Sequence, residues 1–111
     1  MSQPPRHIER GQGPAVIFLH GIGGDGTSWL PELEALSNHC RAIAWDMPGY
    51  GGSPALPKMT FPTLAEALKS LLGKLGVERA HLVGHSIGGM VALEFAARFP
   101  ERVASMVLYA T

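Results

Sequence analysis

Several things are scarce in these 111 residues, and each scarcity removes a class of function. There is one cysteine, Cys40, so no internal disulfide can form and a reducing compartment is the simplest home. Charged residues make up only 16%, and nine basic residues offset nine acidic ones. A chain without net charge or a basic run lacks the electrostatic footprint of a nucleic-acid binder or a membrane-surface protein. No apolar run approaches the roughly 20 residues that a membrane helix needs. The opening Met1-Ser2-Gln3-Pro4-Pro5-Arg6 has no apolar core of the secretory type, so the expected location is cytoplasmic. Internal repeats and low-complexity segments are also missing.

What is present is a hydrophobic fraction of 46%, too high for a disordered chain. A chain of this length buries roughly two-thirds of its unfolded surface, which suits one domain or a piece of one.

Short apolar runs alternate with helical patterns. Ala15–Leu19, bounded by Gly13-Pro14 and His20-Gly21, reads as a strand buried on both faces. A glycine-rich loop, Gly21–Gly26, follows it. Trp29, Leu30, Leu33 and Leu36 recur at helical spacing and predict a helix over Ser28–Asn38. Arg41–Trp45 predicts a strand that ends in the loop Asp46–Pro54. Thr60 can cap a helix from about Pro62 to Leu75, with Leu64, Leu68, Leu71, Leu72 and Leu75 as its buried stripe and Gly76 as its stop. Ala80–Gly84 predicts a strand, Ile87–Phe99 a helix stopped by Pro100, and Val103–Tyr109 a last strand. The polar stretch Met1–Gln12 is edge strand or loop. Alternating strands and helices imply an α/β fold with a mostly parallel sheet, flanking helices and right-handed crossovers.

Three loops carry chemistry. Gly84-His85-Ser86-Ile87-Gly88 fits G-x-S-x-G, and it stands between a predicted strand and a predicted helix, which is the context the motif requires. In such a turn the serine takes a strained backbone, and the flanking glycines Gly84 and Gly88 leave room where a Cβ would clash. The hydroxyl is lifted to the carboxyl end of the sheet, at a helix N-terminus whose free N–H groups favour negative charge. Acyl transfer needs two donors aimed at the developing oxyanion. The N–H of Ile87 is one candidate. The loop His20-Gly21-Ile22-Gly23-Gly24, also placed after a buried strand, offers Ile22 first and Gly23 second. Asp46, in Asp46-Met47-Pro48-Gly49, has the look of a catalytic acid, but short polar side chains before Pro-Gly turns commonly bond nearby backbone N–H groups, and that structural role is the expected one.

Together, His20–Gly24 with Ser28-Trp29, Asp46–Ser53 and Gly84–Gly89 resemble the α/β-hydrolase superfamily, in family order and over essentially the whole chain from about Arg6 to Thr111. The look is closest to the carboxylesterase group that includes 3-oxoadipate enol-lactonases, cofactor-free haloperoxidase-like esterases and C–C bond hydrolases. Serine at the nucleophile position separates it from haloalkane dehalogenases and soluble epoxide hydrolases, which place aspartate there. The resemblance implies Ser86 as nucleophile, a small-molecule ester, lactone or related carbonyl substrate, and no metal or organic cofactor.

The same resemblance implies an acid and then a histidine after the nucleophile. No histidine follows Ser86, and the only acids that do are Glu94 and Glu101. Glu94 lies two turns into the elbow helix, and Glu101 precedes the last strand at the opposite end of the sheet, so neither suits the role. In the family, histidines at the positions of His20 and His85 are structural. A serine without a base is a poor nucleophile at neutral pH, although positioning and an oxyanion hole leave residual catalysis. The expectation is therefore the N-terminal part of one α/β-hydrolase domain spanning 1–111, without cap or C-terminal part, and inactive or feeble alone. Alternatives are a non-catalytic, self-associating fragment, or an acyltransferase or C–C bond hydrolase that keeps Ser86. Val103–Tyr109 then stands as an open apolar edge, which predicts a homo-oligomer paired through that strand.

Overall fold

The computed structural model describes residues 4–111; the first three residues of the predicted N-terminal edge segment lie outside the described part. Among the described residues five strands form one sheet: β1 (His7–Arg10), β2 (Ala15–Leu19), β3 (Arg41–Trp45), β4 (Ala80–His85) and β5 (Val103–Tyr109). Their spatial order is β1-β3-β2-β4-β5. β3, β2, β4 and β5 run parallel to one another, whereas β1 runs antiparallel to β3, with Ile8 opposite Ala44. The sheet is thus mostly parallel, and the polar N-terminal stretch supplies its one antiparallel edge.

Three helices connect the strands: α1 (Leu30–Leu36), α2 (Phe61–Lys74) and α3 (Ile87–Arg98). The helix predicted over Ser28–Asn38 is shorter and starts differently. Asp25 caps a 3₁₀ turn over Gly26–Trp29: its carboxylate accepts the Thr27 N–H at 2.8 Å, and the Ser28 hydroxyl accepts the Asp25 N–H at 3.2 Å. The Leu30 N–H reaches back three residues to Thr27 O, and α-helical bonding begins only past Pro31. A proline has no N–H to donate and is tolerated only in a first turn. α2 follows expectation. Thr60 and Thr63 exchange N-terminal hydrogen bonds at 3.2 and 2.9 Å, and Gly76, at φ +71°, takes the left-handed conformation that stops the helix.

Leu64, Leu68, Leu71 and Leu72 of α2 pack with Val91 and Phe95 of α3 over Ile17, Leu19, Ile43, Trp45 and Leu82 of the sheet. α1 sends Leu33 to the opposite face, against Phe18, Ala42 and Ala44. Burying such a side chain is worth about 1.5–3 kcal/mol each, which is why β2 and β3 read as continuous apolar runs. Among the described residues no helix is long and apolar enough to cross a membrane.

One consequence of this topology places the site. From β2 the chain leaves through α1 on one face, and from β4 it leaves through α3 on the other. β2 and β4 are neighbours, with Leu19 opposite Gly84. Ligands of open α/β sheets bind in the crevice at the carboxyl ends of such diverging strands.

Candidate active site

At the end of β4, Ser86 has φ +56° and ψ −122° and serves as the N-cap of α3. Non-glycine residues avoid this region, and holding one there costs about 1–3 kcal/mol. The surroundings fix it from both sides. The Ser86 N–H donates to Tyr109 O at 3.1 Å, and Ser86 O accepts the N–H groups of Gly89 and Met90 at 2.9 and 3.3 Å. The glycines of the elbow are required by contact. A Cβ on Gly84 would lie 2.6 Å from the Gly89 Cα, and one on Gly88 would strike the carbonyl oxygens of Leu19 and His20. The first turn of α3 is thereby pressed against both β4 and the end of β2.

The loop after β2 closes on the elbow. Gly24 N–H donates to Gly21 O at 3.1 Å, and Gly23 supplies the positive φ of +82° that this tight turn needs. A Cβ on Gly21 would sit 3.1 Å from Ser86 Cβ and 3.0 Å from His85 Nδ1, so the loop abuts the serine. Among the described residues, the N–H groups of Ile22, Gly23 and Ile87 are not taken by any backbone carbonyl. Ile87 is the first residue of α3, where N–H groups are unpaired and the helix dipole is positive. The Ile22 side chain is 73% exposed at the rim.

His20 is buried and fully engaged. Its Nδ1–H donates to Gly21 O at 2.9 Å, and its Nε2 accepts the Met47 N–H at 3.0 Å; the partners fix the tautomer. Its ring lies 5.3 Å from that of Tyr50. It ties the first loop to the Asp46–Pro54 loop and has no nitrogen free for a proton from Ser86. His85 stacks on Tyr109 with ring centroids 4.6 Å apart. Asp46 is spent on backbone: Oδ1 accepts Gly26 N–H at 2.7 Å and Oδ2 accepts Gly52 N–H at 2.9 Å. Glu94 points to Arg98, 3.9 Å away on α3.

On the α1 side of the elbow, a cleft of about 350 Å³ is lined by the Gly21–Gly24 backbone, Ser28, Trp29, Glu32, His85 and Tyr109. Asp25, close by, has its carboxyl held below the usual range, first by the Thr27 hydroxyl and then by the Thr27 N–H. Sequence reasoning passed over Tyr109 as a wall of this cleft. The register that sets it beside His85 is a long-range pairing with no local signal.

Comparison with known proteins agrees with this fold. Residues 14–111 match the family model described as alpha/beta hydrolase fold. The chain is 40% identical over 105 residues to a dihydrolipoyllysine-residue acetyltransferase component of the acetoin cleaving system of Cupriavidus necator, covering 93% of this chain and 28% of that protein. It is 38% identical over 107 residues to a pimeloyl-[acyl-carrier protein] methyl ester esterase of Aeromonas hydrophila, covering 94% and 41%. A thermophilic esterase from Thermogutta terrifontis superposes with a TM-score of 0.89 at 33% identity, covering 93% and 39%. The chain thus spans well under half of each relative. With its divergent parallel strands, glycine-bound serine elbow and matching family model, the chain belongs to the alpha/beta hydrolase fold family.

Proposed function

We propose that the protein is a serine hydrolase acting on an ester, lactone or related carbonyl substrate, with Ser86 as nucleophile. The observation that carries this is the strained Ser86 backbone, held at the end of β4 with the Gly21 turn pressed against it. Strain of that kind persists only where the surroundings over-determine it, and it concentrates at functional sites. In this reading Ser86 Oγ bonds to the substrate carbonyl carbon, and the N–H groups of Ile87 and Ile22, with Gly23 second, hold the oxyanion. The serine proton passes to a general base and then to the departing alkoxide, and water later releases the acyl group. His20 and His85 are structural in this reading, and the base and its acid partner lie outside these 111 residues. The 111-residue chain alone is then inactive or feeble.

Intact mass before and after a fluorophosphonate probe tests this, with Ser86→Ala as control. A protein much heavier than 11.8 kDa that labels only with Ser86 present supports it; such a protein without Ser86 labelling overturns it. Rapid Ser86-dependent labelling at 11.8 kDa refutes the placement of the base outside the chain.

A second reading keeps Ser86 but passes the acyl group to an acceptor other than water; the match to an acetyltransferase component favours it. Product analysis with and without an added thiol or alcohol separates the two. We further propose that β5 pairs with a second copy of the chain. Its outer backbone edge has no neighbour in the sheet, and Val107 and Tyr109 stand exposed along it.

A further inference from the structure

The elbow has a second flank. Opposite the polar cleft lies a cavity of about 410 Å³ whose walls include Met47, Tyr50, Met59, Phe61, Leu64 and Ile87. Two observations set it apart from an incidental surface groove. First, it meets the candidate site at one residue: Ile87 forms part of its wall, and the Ile87 N–H is a candidate oxyanion donor. A group attached to a carbonyl carbon at Ser86 is therefore only one residue from its mouth. Second, its wall carries no carboxylate, lysine, arginine or histidine, whereas the cleft on the α1 side carries Glu32, His20 and His85. An uncharged wall desolvates an apolar group at a gain and a charged group at a heavy cost. Two of the walls are methionines, and Met59 is still 45% exposed; their flexible side chains adapt to differing shapes.

We infer that this cavity receives an uncharged, apolar arm of the carbonyl substrate, while the polar remainder faces the His85–Tyr109 side. The inference rests on the Ser86 reading and narrows it to substrates with one alkyl or aryl arm. Chains bearing a carboxylate or ammonium on that arm are excluded. The cavity along α2 that includes Lys58, Glu66 and Arg98 shares Pro62 with this one but no residue with the elbow.

Methionine provides the probe, because Met47 and Met59 line the cavity while Met90 and Met106 do not. The full-length protein, with ¹³C-labelled methionine methyls and ¹⁵N-labelled amides, is titrated with hexanamide and, in parallel, with acetamide. Hexanamide is expected to shift the Met47 and Met59 methyls and the Ile87 amide saturably, leaving Met90 and Met106 in place. Acetamide has the same carbonyl without the arm and is expected to bind at least roughly tenfold more weakly, as the lost methylene burial requires. Met59→Glu, at a partly exposed position, is expected to weaken hexanamide by a similar factor. No chemistry at Ser86 is needed, so failure of Ser86 to react with a phosphonate would count against the nucleophile alone. Equal binding of the two amides, shifts at Met90 matching those at Met59, no shift at any methyl, or methyl shifts without the Ile87 amide would each overturn the inference.

Discussion

The N–H of Ser86 donates to the carbonyl oxygen of Tyr109 at 3.1 Å, so the strained residue of the elbow is pinned by the neighbouring strand. The strain belongs to the serine side chain's Cβ, because glycine adopts φ +56° freely. Ser86→Gly keeps that hydrogen bond and removes the steric cost. It is expected to raise stability by about 1–2 kcal/mol, read as a higher urea midpoint at unchanged m-value. An equal or lower midpoint would show that the backbone here is not strained.

The glycines separate into two kinds. Gly88 faces the carbonyls of Leu19 and His20 with no room for a methyl, whereas Gly73, in the last turn of α2, has nothing within 4 Å of where a Cβ would go. Gly88→Ala is expected to destabilise by about 3 kcal/mol or to prevent folding, since only backbone could yield. Gly73→Ala should stabilise by about 0.5–1 kcal/mol by removing helix entropy cost. Thermal melts of the two variants should move in opposite directions.

His20 tests the structural reading of a histidine near the site. Both ring nitrogens are engaged, with Gly21 O and Met47 N–H; removal leaves the buried Met47 N–H without its partner and Gly21 O with only the Gly24 N–H. His20→Ala should cost about 2–4 kcal/mol, combining unmet hydrogen bonds with a cavity. A variant that keeps full stability but loses phosphonate labelling would assign His20 to the chemistry instead.

Much of this was legible in the sequence, and the exceptions share a cause. β2, β3, β4 and β5 stand where short apolar runs placed them, to within a residue; β2 and β3 are buried on both faces, which leaves an unambiguous composition, whereas β4 and β5 were marked by their position between helical patterns. The Gly84 and Gly88 clashes were implied by the motif. Asp46 bonds the nearby Gly52 N–H, the structural role expected of it. What the sequence did not disclose lies between segments distant in the chain: the antiparallel pairing of β1 with β3, the second bond of Asp46 across to Gly26, and Tyr109 against His85. The split of the predicted Ser28–Asn38 helix was local, but it turns on the balance between the Asp25 cap and Pro31, which hydrophobic periodicity does not register.

At the far edge, Glu9 on β1 carries a pH dependence. The Arg41 guanidinium, hydrogen-bonded to it at 2.9 Å, holds its carboxyl below the usual range, with partial burial opposing and His7 at 3.0 Å assisting. A carboxyl with a lowered folded value stabilises the fold above its unfolded value, and that contribution fades as pH falls through the folded one. Between pH 5 and about pH 2.5, roughly the span over which such carboxyls protonate, the parent should therefore lose more stability than Glu9→Gln does. Asp25, also lowered, gives both proteins a common background slope. Parallel curves for the two across this range, in urea unfolding, would show that the Glu9–Arg41 pair contributes nothing to holding β1 on the sheet.

The open edge of β5 gives the last prediction. Val107 is 56% exposed, on a strand whose outer backbone groups face no neighbour in the sheet. Such edges pair with other chains unless a charge interrupts them, and lysine is the residue natural edges use. Val107→Lys leaves the parallel pairing with Val83 in place and removes only an exposed side chain, so the fold should hold within about 0.5 kcal/mol, as surface substitutions do. Self-association should fall sharply. Sedimentation velocity over a concentration series reads this directly: the parent should sediment as a dimer or larger, and the variant should shift toward the 11.8 kDa monomer. A parent that stays monomeric at every concentration would mean that β5 is protected by its twist or its short length, and the proposed pairing would fall. An oligomer that survives the lysine unchanged would place the interface elsewhere, for which exposed Met90 and Leu93, one turn apart on α3, are the next residues to substitute.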